Sequence, residues 1–188
     1  MITFAHSYSS IKNKNIIICL STQKELSELD FLKLDINILK DIKKHLGAKK
    51  SSSQEYFLWT AKYEKIYILV NKEKSHESKI NFLGKCFPKL PDELCLISQS
   101  LEGLEIMLEV CELSRYVFQG YKTEKKHRKT QLFCKAKDKK MLQSRINRID
   151  NICLARDLWE TPACDLTPEI FAEKVKKTKF KNIKVKVL

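Results

Sequence analysis

Short apolar runs punctuate this chain, and they read as strands of a buried sheet. Residues 15–20 (NIIICL), 65–70 (KIYILV) and 93–98 (ELCLIS) are rich in β-branched and aliphatic side chains. Runs of this length bounded by polar segments fit strands covered on both faces. None approaches the roughly 20 apolar residues of a membrane span. Residues 54–60 (QEYFLWT) precede the second run closely, and the pair reads as a hairpin. Residues 130–135 (TQLFCK) and the alternating 182–188 (NIKVKVL) are further expected strands.

Between these runs the periodicity changes to that of a helix. Residues 35–46 place Ile36, Leu39, Ile42 and Leu46 at helical spacing, with Asp35 as a cap and Gly47 as a stop. A helix is expected over 75–87, capped by Ser75 and ended by Pro88 and Pro91. A longer one is expected over 100–118, where Ser100 caps a stripe of Leu101, Leu104, Leu108 and Cys111. Residues 138–159 form the next, with Leu142, Ile146, Ile149 and Cys153 on one side. That stripe is either a surface bridging to a further domain or part of the local core. Over 167–178, Thr167 stands at the cap and Pro168 at the first helical position, where a missing N–H costs nothing. Strand and helix thus alternate, which predicts an α/β layered fold.

Composition narrows the chemistry. Two glycines never fall close enough for a dinucleotide or phosphate-binding loop among the four present. The seven cysteines contain no CxxC pair and mostly have apolar neighbours, so they read as reduced core thiols. The four histidines are far apart and form no metal motif. No nucleophile motif occurs. Asp157, Glu160 and Asp165 lie close together in sequence and read as caps and turn bonds or, alternatively, as an acid–base group. The N-terminal MITFAHSYSS has no basic and apolar signal regions, and a cytoplasmic location with no membrane partner is expected.

The net charge of +13 sits in two places. Segment 121–140 has nine Lys or Arg and two acids, and segment 172–188 has seven Lys and one acid. The remaining residues are balanced. Such patches attract phosphates, so Lys122, Lys125, Lys126, Arg128 and Lys129 are candidate nucleic-acid contacts. Lysine predominates over arginine, and aromatic residues are sparse in both segments. That composition fits a solvated face better than base recognition.

Two stretches resemble one family, the M17 leucyl aminopeptidases. Residues 113–126, LSRYVFQGYKTEKK, are similar to its segment with Tyr-x-Phe, then Tyr-Lys-Thr and a lysine pair. Residues 155–172, ARDLWETPACDLTPEIFA, resemble its linker, in which Arg-Asp-Leu precedes Asn-x-Pro-Ala-Asn and Leu-Thr-Pro. Glu160 and Cys164 stand where the family has asparagines that organise the turn, work that Asp165 is expected to share. The resemblance covers roughly residues 100–188.

The resemblance implies a macrodomain-like, three-layer N-terminal domain with a mixed sheet over 1–137. A connecting helix over 138–159 follows, and then the beginning of the catalytic domain over 160–188. The rest of that domain is expected beyond Leu188. The implied reaction removes N-terminal residues from peptides at a two-metal centre, zinc or manganese, which polarises the scissile carbonyl and activates a bridging water. Its ligand motifs, such as Asn-Thr-Asp-Ala-Glu-Gly-Arg, do not occur in this sequence. No catalytic, metal or cofactor residue is therefore assigned here. The expected partners are the protein's own catalytic domain, a homo-oligomer (a hexamer for the whole enzyme) and a peptide substrate. The expected role of this portion is scaffolding and assembly. The alternative reading is a basic nucleic-acid or nucleotide-binding module, although scarce glycine argues against a diphosphate pocket.

Overall fold

A computed structural model describes residues 2–5, 15–20, 39–40, 42–44, 54–58, 65–70, 75–98, 100–123, 128–177 and 186. Six strands form one mixed sheet: β1 (Ile2–Ala5), β2 (Asn15–Leu20), β3 (Gln54–Leu58), β4 (Lys65–Val70), β5 (Glu93–Ile97) and β6 (Lys129–Phe133). Their order is β1-β6-β5-β2-β4-β3. Five run parallel, and β3 pairs antiparallel with β4 as its hairpin partner. The expected α/β fold with a mixed sheet is the fold observed.

The register explains why the apolar runs are continuous. Tyr67, Ile17, Leu96, Leu132 and Phe4 stand in one row across the five parallel strands. Ile16, Ile66, Cys95 and Gln131 form the next row. Successive strand residues face opposite sides of a sheet. Yet Ile16, Ile17, Ile66, Cys95, Leu96 and Leu132 are all fully buried. Both faces of the central strands are therefore covered, as in a three-layer arrangement.

The helices begin where their caps predicted. In α1 (His76–Cys86), the Ser78 amide donates to Ser75 Oγ at 3.0 Å. In α2 (Leu101–Ser114), the Gly103 amide donates to Ser100 Oγ at 2.9 Å, and Leu104, Met107, Leu108, Val110 and Cys111 are buried. Residues 39–40 and 42–44, inside the helix expected over 35–46, are helical, and Ile42 is buried.

Helix α2 stops at Ser114, four residues short of the end expected from periodicity. Arg115 has left the helical region at φ −99° and ψ 3°. Its side chain is buried, and Nη2 donates to the Pro91 carbonyl at 2.7 Å, with Asp92 at 3.5 Å. Anchoring a buried guanidinium there decides where the helix ends, and an apolar period cannot reveal it.

Helix α3 (Lys139–Glu160) buries Leu142, Ile146 and Ile149, while Cys153 is half-buried. Those three side chains therefore belong to the local core. Arg145 reaches across to α2, with Glu109 at 3.1 Å and Glu105 at 3.3 Å. Helix α4 (Pro168–Lys177) is the last described element. None of the described helices is long and apolar enough to cross a membrane.

The sequence reading missed β1, whose four residues are too few to show a period. The strand expected over 182–188, the Asp35 cap and the Gly47 stop lie outside the described residues.

Two compact units result. The first holds residues 1–116 and 126–149, and the second holds 117–125 and 150–188.

Candidate functional site

The second unit brings together the two stretches that carry the family resemblance, and its geometry starts from a turn. Beyond α3, the amides of Asp165 and Leu166 both donate to the Pro162 carbonyl, at 2.9 and 3.0 Å. Thr161 Oγ1 donates to the Asp157 carbonyl at 2.6 Å, which satisfies one of the open acceptors at the helix end. The chain then enters α4, where the Phe171 amide donates to the Thr167 carbonyl at 2.8 Å. Thr167 Oγ1 accepts the Ile170 amide at 3.4 Å. A further hydrogen bond from the Thr167 side chain, followed by one from the Glu169 backbone, holds the Glu169 carboxyl below its ordinary value. Asp165 was expected to help organise this turn in place of the missing asparagines. Backbone amides close it instead, and Glu160 and Cys164 are exposed.

The other half of the site comes from residues 117–123. The Lys122 amide donates to the Gln119 carbonyl at 3.3 Å and closes a turn over Gly120. Phe118 and Tyr121 meet edge to face, with centroids 5.8 Å apart and planes at 66°. Gly120 makes that approach feasible, because a Cβ there would lie 2.5 Å from Phe118 Cζ.

Tyr121 then donates its hydroxyl proton to Asp165 Oδ2. That bond stabilises the neutral phenol beside a carboxylate, and the tyrosine is pushed up to about 12. Around the pair runs an open groove of about 460 Å³, lined also by Gln119, Asp157, Thr161 and Lys174. Among the described residues, no three His, Cys, Asp or Glu converge to hold an ion. No described residue is assigned to the two-metal centre that the resemblance places elsewhere. The chemistry of the Tyr121–Asp165 site is that of a clamp. A neutral donor is fixed on an acceptor, and two loops distant in sequence are joined.

Two of the basic candidates, Arg128 and Lys129, pair with acids of the first unit. Lys129 donates to Glu93 at 2.6 Å, and Arg128 donates to Asp92 at 3.3 Å. Lys139, from the same basic segment, sits 5.4 Å from the centroid of the Phe4 ring. Lys122 is exposed in the turn after Tyr121. Lys125 and Lys126 lie outside the described residues.

The fold thus defined is α/β, with five parallel strands and covering helices, like the N-terminal domain of leucine aminopeptidases. No protein-family model matches the chain, and no curated protein matches it. Solved structures do. A tomato leucine aminopeptidase mutant superposes with a TM-score of 0.58 at 15% identity, over 94% of this chain and 41% of that one. A Caenorhabditis elegans leucine aminopeptidase gives a TM-score of 0.62 at 10% identity, over 94% and 39%. The bottromycin maturation enzyme BotP in complex with Mn gives 0.58 at 13% identity, over 87% and 35%. The likeness is one of fold, and this chain spans about two fifths or less of the length of those it matches.

Proposed function

We propose that this chain is the N-terminal, non-catalytic portion of a leucyl aminopeptidase-like metallo-exopeptidase. The observation that carries the reading is the fold match, which spans nearly all of this chain but only 41% of the tomato enzyme. The Tyr121–Asp165 clamp adds to it, because it joins the two stretches that resemble the family. In this reading residues 1–137 form the accessory domain, 138–159 the connecting helix and 160–188 the start of the catalytic domain. The portion acts as a scaffold and helps a homo-oligomer assemble, a hexamer in the whole enzyme, in the cytoplasm.

Hydrolysis would take place in the remainder of the protein, at two divalent ions, zinc or manganese. The neighbour BotP is a Mn complex. Bound metal there would polarise the peptide carbonyl and lower the pKa of the attacking water. The residues present in this chain would do positional work. Sheet and helices give a rigid platform, and the clamp sets the path of the chain into α4.

The test is an assay with leucine p-nitroanilide in Mn²⁺ or Zn²⁺. The 188-residue chain is expected to show no turnover, and the natural polypeptide that carries it is expected to be active. Turnover by the chain alone would overturn the non-catalytic assignment. An inactive natural polypeptide, with either metal, would overturn the aminopeptidase reading.

A further inference from the structure

Sheet topology marks a second cavity, inside the first unit. The chain leads from β2 toward β4 and β3 on one side and from β5 toward β6 on the other, so the strand order reverses between β2 and β5. In open α/β sheets, ligands bind outside the carboxyl ends of the strands at such a reversal. A cavity of about 80 Å³ lies there, and its lining residues all belong to the first unit. Cys19 comes from the carboxyl end of β2, Lys79 and Leu83 from α1, and Ser100, Glu102 and Met107 from α2 and its cap.

The lining divides by chemistry. Leu83 and Met107 are buried and form an apolar floor. Lys79 is half-buried and Glu102 exposed. The two opposite charges line one cavity, yet among the described residues neither has an ion-pair partner. A partly buried ammonium is costly until an anion pairs with it. A ligand that satisfies both charges carries a carboxylate and an ammonium on one small apolar body. The volume is roughly half of the ~150 Å³ that admits benzene, which leaves room for roughly three or four carbon atoms.

We infer that this cavity binds a free α-amino acid with a branched aliphatic side chain. Its carboxylate pairs with Lys79, its ammonium with Glu102, and its side chain covers Leu83 and Met107. Such amino acids are what a leucyl aminopeptidase releases, so the cavity would sense product at a distance from the metal centre. The site stands on the cavity and its two charges, and its role as a product sensor rests on the aminopeptidase reading above.

A titration of the 188-residue chain with L-leucine, followed through protein amide NMR signals, tests this on unmutated protein. Leucine is expected to shift the signals of Gly103 and its neighbours in the first unit. Two analogues each delete one charge: 4-methylpentanoate lacks the ammonium and 3-methylbutylamine lacks the carboxylate. Each is expected to bind about tenfold more weakly, the scale of one charge-assisted hydrogen bond. Lys79→Gln should weaken leucine and leave 3-methylbutylamine unchanged. Glu102→Gln should weaken leucine and leave 4-methylpentanoate unchanged.

No shift up to about 50 mM leucine, far above the Kd of a weak site, overturns the inference. So does an analogue that binds as tightly as leucine. The peptidase assay separates the two readings. An active natural polypeptide whose first unit ignores leucine removes only this site. Leucine binding with an inactive natural polypeptide supports the site and removes only its role as a product sensor.

Discussion

Tyr121 and Asp165 are 44 residues apart in sequence, and the tyrosine hydroxyl donates directly to the aspartate carboxylate. The contact closes the second unit by joining the turn at 119–122 to the turn at 162–166. It also sets the protonation chemistry of the site, because a phenolate could not donate and would face a negative neighbour.

The first prediction is a titration. Tyr121 ionises at about 12 with Asp165 beside it, above the ordinary tyrosine value of about 10. Because the folded value is the higher one, the contact contributes fully below the ordinary value and is lost as pH rises through about 12. Asp165→Asn should bring Tyr121 back toward the ordinary value. Alkaline difference absorbance against a Tyr121→Phe reference measures it, and superimposable curves for wild type and Asp165→Asn would refute it.

The glycine between the two aromatic rings gives a second test. A methyl at position 120 would fall 2.5 Å from Phe118 Cζ and 3.1 Å from both Cε atoms, so the ring must swing away. Gly120→Ala should lose the edge-to-face contact with Tyr121, worth roughly 1 kcal/mol. Near-ultraviolet circular dichroism should change, and the urea midpoint should fall. An unaltered aromatic spectrum would show that the ring arrangement does not depend on the missing Cβ.

Arg115 provides a third. Its buried guanidinium donates to the Pro91 carbonyl at 2.7 Å and lies 3.3 Å from Cys111 Sγ. Arg115→Met should cost about 2 kcal/mol, the scale of a charge-assisted hydrogen bond whose partner stays behind. Asp92→Asn should cost much less, because that side chain is half exposed and its pair with Arg115 is long at 3.5 Å. Urea denaturation of both variants measures the difference, and equal losses would place the weight on the ion pair instead.

Thiol reactivity gives a fourth. Burial pushes Cys95 and Cys111 up to about 12, so at pH 8 both remain thiols. Cys164 is exposed. Iodoacetamide with peptide mapping should label Cys164 first, and Cys95 and Cys111 only after denaturation. Early labelling of either buried thiol would contradict the sheet and helix packing around them.

The fifth concerns the basic segment. Lys129 and Arg128 are engaged by Glu93 and Asp92. A double variant, Asp92→Asn with Glu93→Gln, should remove both ion pairs and raise the salt needed to elute the protein from heparin. An unchanged elution point would mean that those charges already reach solvent in the native protein.

Much of the element pattern was legible in the residues themselves. The runs at 15–20 and 65–70 are strands, that at 93–98 is one as far as Ile97, and Ser75, Ser100 and Thr167 begin helices, because both signals are local. The candidate site was legible only as two motif stretches. Nothing in either one indicated that Tyr121 would choose Asp165, or that Asp165 would leave the turn to backbone amides. Nor did the residues show that the β5–β6 pairing would set Lys129 beside Glu93.

Periodicity, caps and proline positions act over one turn of helix or a few strand residues, so the amino-acid order alone marked strands β2 to β6 and the four helices α1 to α4. The strand order, the end of α2 at a buried arginine and the clamp across 44 residues depend on which distant groups meet. The tertiary structure alone decided those, because hydrogen bonds and apolar contacts between remote segments form only once the chain has closed the loops between them.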